Sequence, residues 1–478
     1  MEGKRAVALP GSGSTLEAAG PPVNRSPRAL ARAHNRRLLD RTSRRAMRIA
    51  RAFALLCLAW PPVALAAEPP RAASAIDAVL PQVVAWRRDF HQHPELGNRE
   101  TRTAGVVAAH LRSLGLEPVS YAKTGVVALL DSGRPGPTLA LRADMDALPV
   151  TEEGDLPFRS TATATFNGRT VGVMHACGHD AHTAIQLGAA TVLAGMRGQW
   201  HGRVLLVFQP AEEGPPEGEE GGAELMLKEG LFERYRPDAV IGLHLLSNLN
   251  ADTIGVRAGP VMAESDRFRI VVAGVQAHGS RPWSGKDPVL AAAHIVVALQ
   301  SIVAREIDPT VSPAVVTVGS IHGGVRYNII PDQVELVGTI RSFDDATREA
   351  IYDSVRRIAG DTAHAHGTEA TTGIWRHTIV NVNDPALTAR LRPALAAAAG
   401  PGKLVEVPMQ TVAEDFAYFA AAVPGLYFFV GATPPGQDPR TAPSNHSPRF
   451  AVDEAALPLA LDALLRSALA YLQPAAAP

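Results

Sequence analysis

Between residues 75 and 252 the chain repeats one pattern, in which short, almost unbroken apolar runs alternate with helical stretches. "GVVALLD" from Gly125, "TLALRAD" from Thr138, "RVLLVFQP" from Arg203 and "DAVIGLH" from Asp238 are the runs. A strand with one wet face alternates apolar and polar residues, so runs without alternation belong in a sheet covered on both faces. The stretches "TAGVVAAHLRSLG" from Thr103, ended by glycine, and "HTAIQLGAATVLAG" from His182 supply covering helices. The predicted fold class is α/β.

After "GVRAGPVMAESD" the order changes. Strand "RFRIVVAG", helix "DPVLAAAHIVVALQSIVA", strands "AVVTVGSI" and "QVELVGTIRSF", helix "ATREAIYDSVRRIAGDTAHAHG" and strand "EATTGIW" spell a ferredoxin-like β-α-β-β-α-β unit. This predicts two domains: one built from residues 71–258 and 377–474, and a second, residues 259–376, inserted into it. The helix from Pro385, the strand "GLYFFVGA" and the helix from Asp453 complete the first.

Residues 1–66 are of another kind, with twelve Lys/Arg against Glu2, Glu17 and Asp40. "RRAMRIARAFALLCLAWPPVALAAEPP" has a basic n-region, an apolar h-region and an A-x-A site at Ala64-Leu65-Ala66, which predicts a signal for export to the periplasm or medium. Met47 would open such a signal at ordinary length, and "SRRAM" resembles a twin-arginine signal. The apolar run is too short for a span and is broken by Pro61 and Pro62, which argues against a membrane anchor. Without this leader 34 basic side chains face 44 acidic ones, which argues against nucleic acid as a partner. Cleavage would also remove Cys57 and leave Cys177 as the one thiol, with no disulfide partner.

Open α/β sheets bind ligands outside the carboxyl ends of their strands. Here those ends carry Asp144 and Asp146 in "RADMDALP", Glu212 and Glu213 in "PAEEG", and His244 in "GLH", while "MHACGHDAHT" leads into a helix. Each has a plain structural alternative. The aspartates suit a turn or cap, Glu217, Glu219 and Glu220 suit a solvated loop, Asp180 suits a cap for a helix from Ala181, and His182 suits the scaffold. His175 is open between these roles. Cys177 has three readings: metal ligand, nucleophile, or small buried residue. As a ligand it would pair with His179, because residues i and i+2 of an extended backbone share a face. Thiolate and imidazole suit zinc, and added carboxylates move the balance toward harder ions such as manganese.

Taken together, "DFHQHPELGNRE", "RADMDALPVTEE", "MHACGHDAHT", "FQPAEEG", "GLH", "YNIIPD", "GTIRSFD", "AEDFAYF" and "NHSPRF" resemble the metal-dependent amidohydrolases that include hippurate hydrolase, N-acyl-L-amino-acid amidohydrolases and indole-acetyl-amino-acid hydrolases, relatives of aminoacylase and carboxypeptidase G. The resemblance runs from about residue 75 to 470. It implies a catalytic domain with two divalent metal ions (zinc, manganese, cobalt or nickel) and an inserted lid that forms a homodimer. It places metal ligands at Cys177, His179, Glu213, His244 and His446, the general base at Glu212, and a carboxylate that orients a metal-binding group at Asp146. It assigns oxyanion stabilisation to His278, often across the dimer, and substrate binding to Asn328 and Arg341. The implied reaction is hydrolysis of N-acyl-L-amino acids to a carboxylic acid and an amino acid; a dipeptidase or carboxypeptidase using the same centre is the alternative. Relatives commonly continue the lid motif as "AHAAMP", whereas "AHGSRPWSGKDP" here adds Arg281, Trp283 and Lys286 beside His278, which leaves the substrate range open.

Overall fold

Two sheets organise residues 70–473, the part of the chain that the computed structural model describes. The leader lies outside these residues. The larger sheet has eight strands in the order Val119–Tyr121, Gly125–Asp131, Arg203–Gln209, Thr138–Asp144, Ala239–Asn250, Gly425–Thr433, Ile254–Val256, Leu404–Glu406. Its four middle strands are parallel, as their unbroken apolar runs require. Every residue of Thr138–Asp144 and of Gly425–Thr433 is buried. Helices Pro70–Gln92, Thr101–Ser113, His179–Gly195 and Ala456–Leu472 cover one face. Gly222–Lys228, Leu231–Tyr235 and Phe416–Ala422 cover the other.

The smaller sheet interrupts the larger one in sequence. Its order is Val315–Gly323, Gln333–Arg341, Asp266–Ala273, Glu369–Arg376, all antiparallel. That is the ferredoxin-like arrangement predicted, with the first strand between the third and the fourth. Burial alternates along these strands, so one face is dry. Phe268, Ile270, Val272, Leu336 and Ile340 pack there against helices Pro288–Ser301 and Asp345–Ala365. One helical stretch among the described residues, Pro288–Glu306, is long and apolar enough to cross a membrane; a third of it is buried, and it packs on this sheet.

Several elements escaped the sequence reading, Val119–Tyr121, Gly222–Lys228 and Phe416–Ala422 among them, and so did one hairpin. Strands Thr163–Phe166 and Arg169–Gly172 form a hairpin. Its two-residue turn is Asn167-Gly168, both with positive φ (50° and 73°), the pair that a tight hairpin turn favours. Ala164 and Phe166 pack on a small cluster of Leu96, Ala147 and Val173.

Pairing within the larger sheet opens the crevice. Thr138–Asp144 stays paired to its parallel neighbour through Asp144↔Gln209, but on the other side its pairing stops at Arg142↔Gly242. Beyond that point the strands part, with Asp144 and His244 at the fork. The helix that follows the cysteine is anchored at its far end by Trp200, fully buried, whose Nε1 donates to the Leu193 carbonyl at 3.1 Å. Trp200→Ala is expected to lower the stability of the fold by about 3–5 kcal/mol, read from urea unfolding.

Candidate metal centre

Cys177 and His179 do converge, but not through extended backbone. Gly178 between them has φ 99° and ψ 10°, a left-handed turn that glycine enters without steric cost. The helix begins at His179 rather than at Ala181. The bend turns the Cys177 sulfur toward two imidazoles from distant parts of the chain. His244 Nε2 and His446 Nε2 each stand 3.3 Å from Sγ. His446 Nε2 also lies 3.1 Å from Glu213 Oε1. His446 is itself left-handed (φ 70°), which is uncommon outside glycine, and its amide donates to the Ala176 carbonyl at 2.7 Å. The neighbouring Asn445 donates its side-chain amide to the carbonyls of Cys177 and Leu245. This one residue thus ties the loops of all three donors together.

Among the described residues five overlapping groups could hold an ion, and two of them share the sulfur: Cys177, His179 and His244, and Cys177, Glu213 and His446; the others are Asp144, His179 and His182, then His179, Glu212 and Glu213, then Glu212, Glu414 and Asp415. Within each group the ligand atoms lie within 4.8 Å of one another. Glu212 and Glu213 are held by their own backbone. Their amides donate to the two carboxylate oxygens of Asp146, each at 3.0 Å, and the Ala211 amide donates to buried Glu100 at 2.8 Å. The Asp146 carbonyl accepts His179 Nδ1 at 2.9 Å, leaving Nε2 buried and without a partner. Asp146 therefore aims the imidazole as well as the glutamate turn, the supporting position expected of it.

Electrostatics show what the centre lacks. Arg142, wholly buried, pairs with Asp144 at 2.6 Å, Glu414 at 2.8 Å and Asp415 at 3.0 Å, and donates to Gln209 Oε1 at 2.7 Å. Burial still pushes Asp415 up to about 7, with Arg142 pulling it down and Glu414 adding to the rise. Burial, then Glu414, Glu213 and Asp415, drive the Glu212 carboxyl well above its usual range. Burial disfavours a charged His179, yet Asp144 and Asp146 hold its pKa up to about 10. Burial and then Glu213, Glu212 and Asp144 raise the Cys177 thiol. A nucleophilic cysteine needs the opposite shift. Thiol, imidazoles and the Glu212 and Glu213 carboxylates, which no lysine or arginine pairs among the described residues, thus surround a place that calls for positive charge, and the donor set suits divalent ions.

The remaining histidines separate. His182 is scaffold: Nδ1 bonds Asp144 at 2.7 Å and Nε2 accepts the Leu245 amide at 2.9 Å. His175 is buried, and burial lowers its pKa to about 4. Asp180 is not a cap. It lies in the first turn of the helix and pairs with Arg87 at 3.1 Å and His91 at 2.9 Å. Arg142, Glu100, Glu414, Asp415 and Asn445 went unremarked as individual residues in the sequence, because their partners are far away in the chain.

The other predicted residues stand on the inserted unit. His278 and Asn328 are brought together, since Ala277–His278 pairs with Ile329–Ile330 and the Gly279 amide donates to the Asn328 carbonyl at 2.8 Å. His278 is exposed, and its Nδ1 accepts the Ser280 amide at 3.0 Å. Asn328 keeps a buried Oδ1 without a partner. Arg341 is half-buried and donates to the Ile340 carbonyl at 2.9 Å and to the Thr339 hydroxyl. Trp283 is 80% exposed. Among the described residues no hydrogen bond or ion pair joins His278, Asn328 or Arg341 to the Cys177 group.

The sequence pattern of peptidase family M20/M25/M40 matches residues 140–470. This chain belongs to that family. Within it, a thermostable carboxypeptidase 2 of Saccharolobus solfataricus is 38% identical over 380 residues, 79% of this chain and 92% of its own. An N-acyl-L-amino acid amidohydrolase of Geobacillus stearothermophilus is 41% identical over 293 residues, 61% of this chain and 75% of its own. The crystal structure of the Bacillus subtilis YXEP protein, described as a dinuclear metal-binding peptidase of the M20 family, superposes with a TM-score of 0.68 at 32% identity, covering 83% of this chain and 99% of that one. Like the rest of its family, the chain is a hydrolase acting on amide bonds.

Two measurements probe this framework. Arg142→Met leaves Asp144, Glu414 and Asp415 buried without their cation, and is expected to cost about 3–5 kcal/mol in urea unfolding. At His91, burial opposes the charge, but the bonds to Asp180 and Glu152 and the charge of Asp180 together outweigh it and raise the pKa from 6.5 to about 9. Stabilisation by the protonated ring is therefore complete below pH 6.5 and is lost as pH rises through about 9. His91→Gln should be clearly less stable than wild type below that window, with the gap closing above it.

Proposed function

We propose that this protein hydrolyses the amide bond of N-acyl-L-amino acids, releasing a carboxylic acid and a free amino acid, at a centre for two divalent ions. The observation that carries the reading is the pair of donor groups sharing the Cys177 sulfur, with Glu212 adjoining the donor Glu213. Cys177, His179 and His244 would hold one ion, and Cys177, Glu213 and His446 the other. Zinc, manganese, cobalt and nickel all accept such a mixture of sulfur, nitrogen and oxygen. When bound, the ions supply Lewis acidity and a water whose pKa is lowered toward about 7.

The chain's own groups do the remaining work. Glu212 takes a proton from the attacking water and returns it to the leaving nitrogen. Asp146 fixes where Glu212 stands, through the amide it binds. His278 donates to the developing oxyanion, Asn328 to the substrate carbonyl, and Arg341 grips the α-carboxylate with its planar fork. His278 lies exposed on the inserted unit, so these groups act once the lid meets the site. We read the lid as the contact of a homodimer. Val289, Leu290 and Val297 lie 48–73% exposed on one of its helices, which supports that reading. Export to the periplasm or medium is supported by the basic and apolar leader of residues 1–66.

Cleavage of dipeptides or peptide C-termini is the second reading, favoured by the carboxypeptidase relative. Metal-stripped protein refilled with each ion and offered N-acyl amino acids beside dipeptides separates the two. Glu212→Gln is expected to keep both metals, counted by elemental analysis, while turnover falls by about 100-fold or more; activity within tenfold of wild type would remove Glu212 as base. Cys177→Ser should lower metal content, and full metal with lost activity would restore the thiol as nucleophile.

A further inference from the structure

Of the acidic residues that follow the Glu212-Glu213 turn, Glu219 is not part of a solvated charge run. Its two carboxylate oxygens take the Arg99 guanidinium, at 2.6 and 3.3 Å. It also accepts the Asn98 side-chain amide at 3.1 Å and meets the Lys123 ammonium. Asn98 donates to the Glu220 carbonyl as well, at 3.0 Å. The Glu220 carboxylate, by contrast, points outward to Lys228, with its side chain 68% exposed.

The same two stretches hold the other end of the loop. Glu100, next to Arg99, accepts the Ala211 amide at 2.8 Å on one oxygen. On the other it accepts the hydroxyl of Thr124, next to Lys123, at 2.6 Å. Residues 98–100 and 123–124 therefore clamp the chain both before and after Glu213. Between Glu213 and Glu219 there is little slack: Pro215 and Pro216 fix their own φ angles, and the Glu219 amide donates to the Pro216 carbonyl at 3.0 Å, closing a turn. Backbone strain gathers at the same contact. Seven non-glycine residues have positive φ among the described residues, and four of them are Asn98, Ala122, Lys123 and Ala211. Such conformations persist where surrounding contacts over-determine them, and they cluster at functional sites.

We propose that Glu219 is a positioning residue: anchored by Asn98, Arg99 and Lys123, it holds the loop so that Glu213 stays beside His446 and the ion shared with Cys177 is retained. It touches neither substrate nor ion. A lone exposed ion pair contributes little, but a carboxylate taken bidentately by arginine within a network of several donors is the exception. The role rests on the proposed function, in which Glu213 holds one of two ions.

The test loads the mature protein with zinc, dialyses it against a graded series of a zinc chelator, and counts the zinc left per chain by elemental analysis. Glu219→Ala should weaken the more loosely held ion by about tenfold or more, the scale on which groups supporting a metal ligand act. The other ion, and the urea midpoint of the metal-stripped protein, should stay at their wild-type values. Glu219→Gln, which keeps the acceptor oxygen without the charge, should fall between, and Glu220→Gln should match wild type. Unchanged zinc retention in Glu219→Ala, an equal loss in Glu220→Gln, or loss of both ions with a lowered urea midpoint would overturn the role and leave the two-ion centre standing. A wild type that never holds two ions would overturn that centre and this role with it.

Discussion

Arg142 sits in the middle of the strand that leads to Asp144 and Asp146, with no part of its side chain in contact with water. Carboxylates gathered at neighbouring strand ends repel one another, and moving each out of water costs several kcal/mol. One guanidinium on the buried side of the fork offsets that for Asp144, Glu414 and Asp415 together. Its planar array of five donors allows this, as a lysine's single ammonium would not. Compensation therefore comes from behind. Toward the crevice, among the described residues, no lysine or arginine pairs with Glu212 or Glu213, and these two, His179 and the thiol are left facing one another. A site balanced at the back and unbalanced at the front fits a cation from solution better than a protein-only nucleophile.

Much of this architecture was legible in the chain because it rests on local pattern. The unbroken runs marked strands buried on both faces, and the change in the order of elements after "GVRAGPVMAESD" marked the inserted unit with its own two helices. Glu213 and His244 were legible because each follows such a run, and Cys177 and His179 because they lead into a helix, whereas His446 came only from the family resemblance. What stayed hidden was tertiary. Glu414 lies 272 residues from Arg142, and no window of sequence connects them. Cys177 and His179 meet by a left-handed glycine, where spacing alone favoured extended backbone. Asp180 looked like a cap because local chemistry favours that role, yet Arg87 and His91 from the first helix claim it. The hairpin at Asn167-Gly168 is a feature whose signal was present and overlooked.

The residues assigned chemical roles above divide by burial as well as by place. Cys177, His179, Glu213, His244 and Asp146 stand at or just past strand ends and at one helix start, mostly buried, whereas His446 stands in a loop with its side chain 54% exposed. His278 sits on a two-residue ladder at the surface. Rigid elements keep a metal-binding arrangement within tight tolerances. Groups that must admit a substrate and then close on it belong on parts that move.

The strand Gly425–Thr433 runs between Ala239–Asn250 and Ile254–Val256, near the middle of the large sheet, although it is the last strand in the chain. The sheet therefore stays open along its centre until nearly the whole polypeptide exists. The inserted unit draws all four of its strands from residues 266–376 and faces no such delay, since close-spaced contacts form faster than distant ones. Assembly in time then runs opposite to the order of the chain: the interruption closes first, and the layer it interrupts closes last. His446, 13 residues beyond the end of that final strand, follows it, so the centre is completed no earlier than the event that seals the sheet.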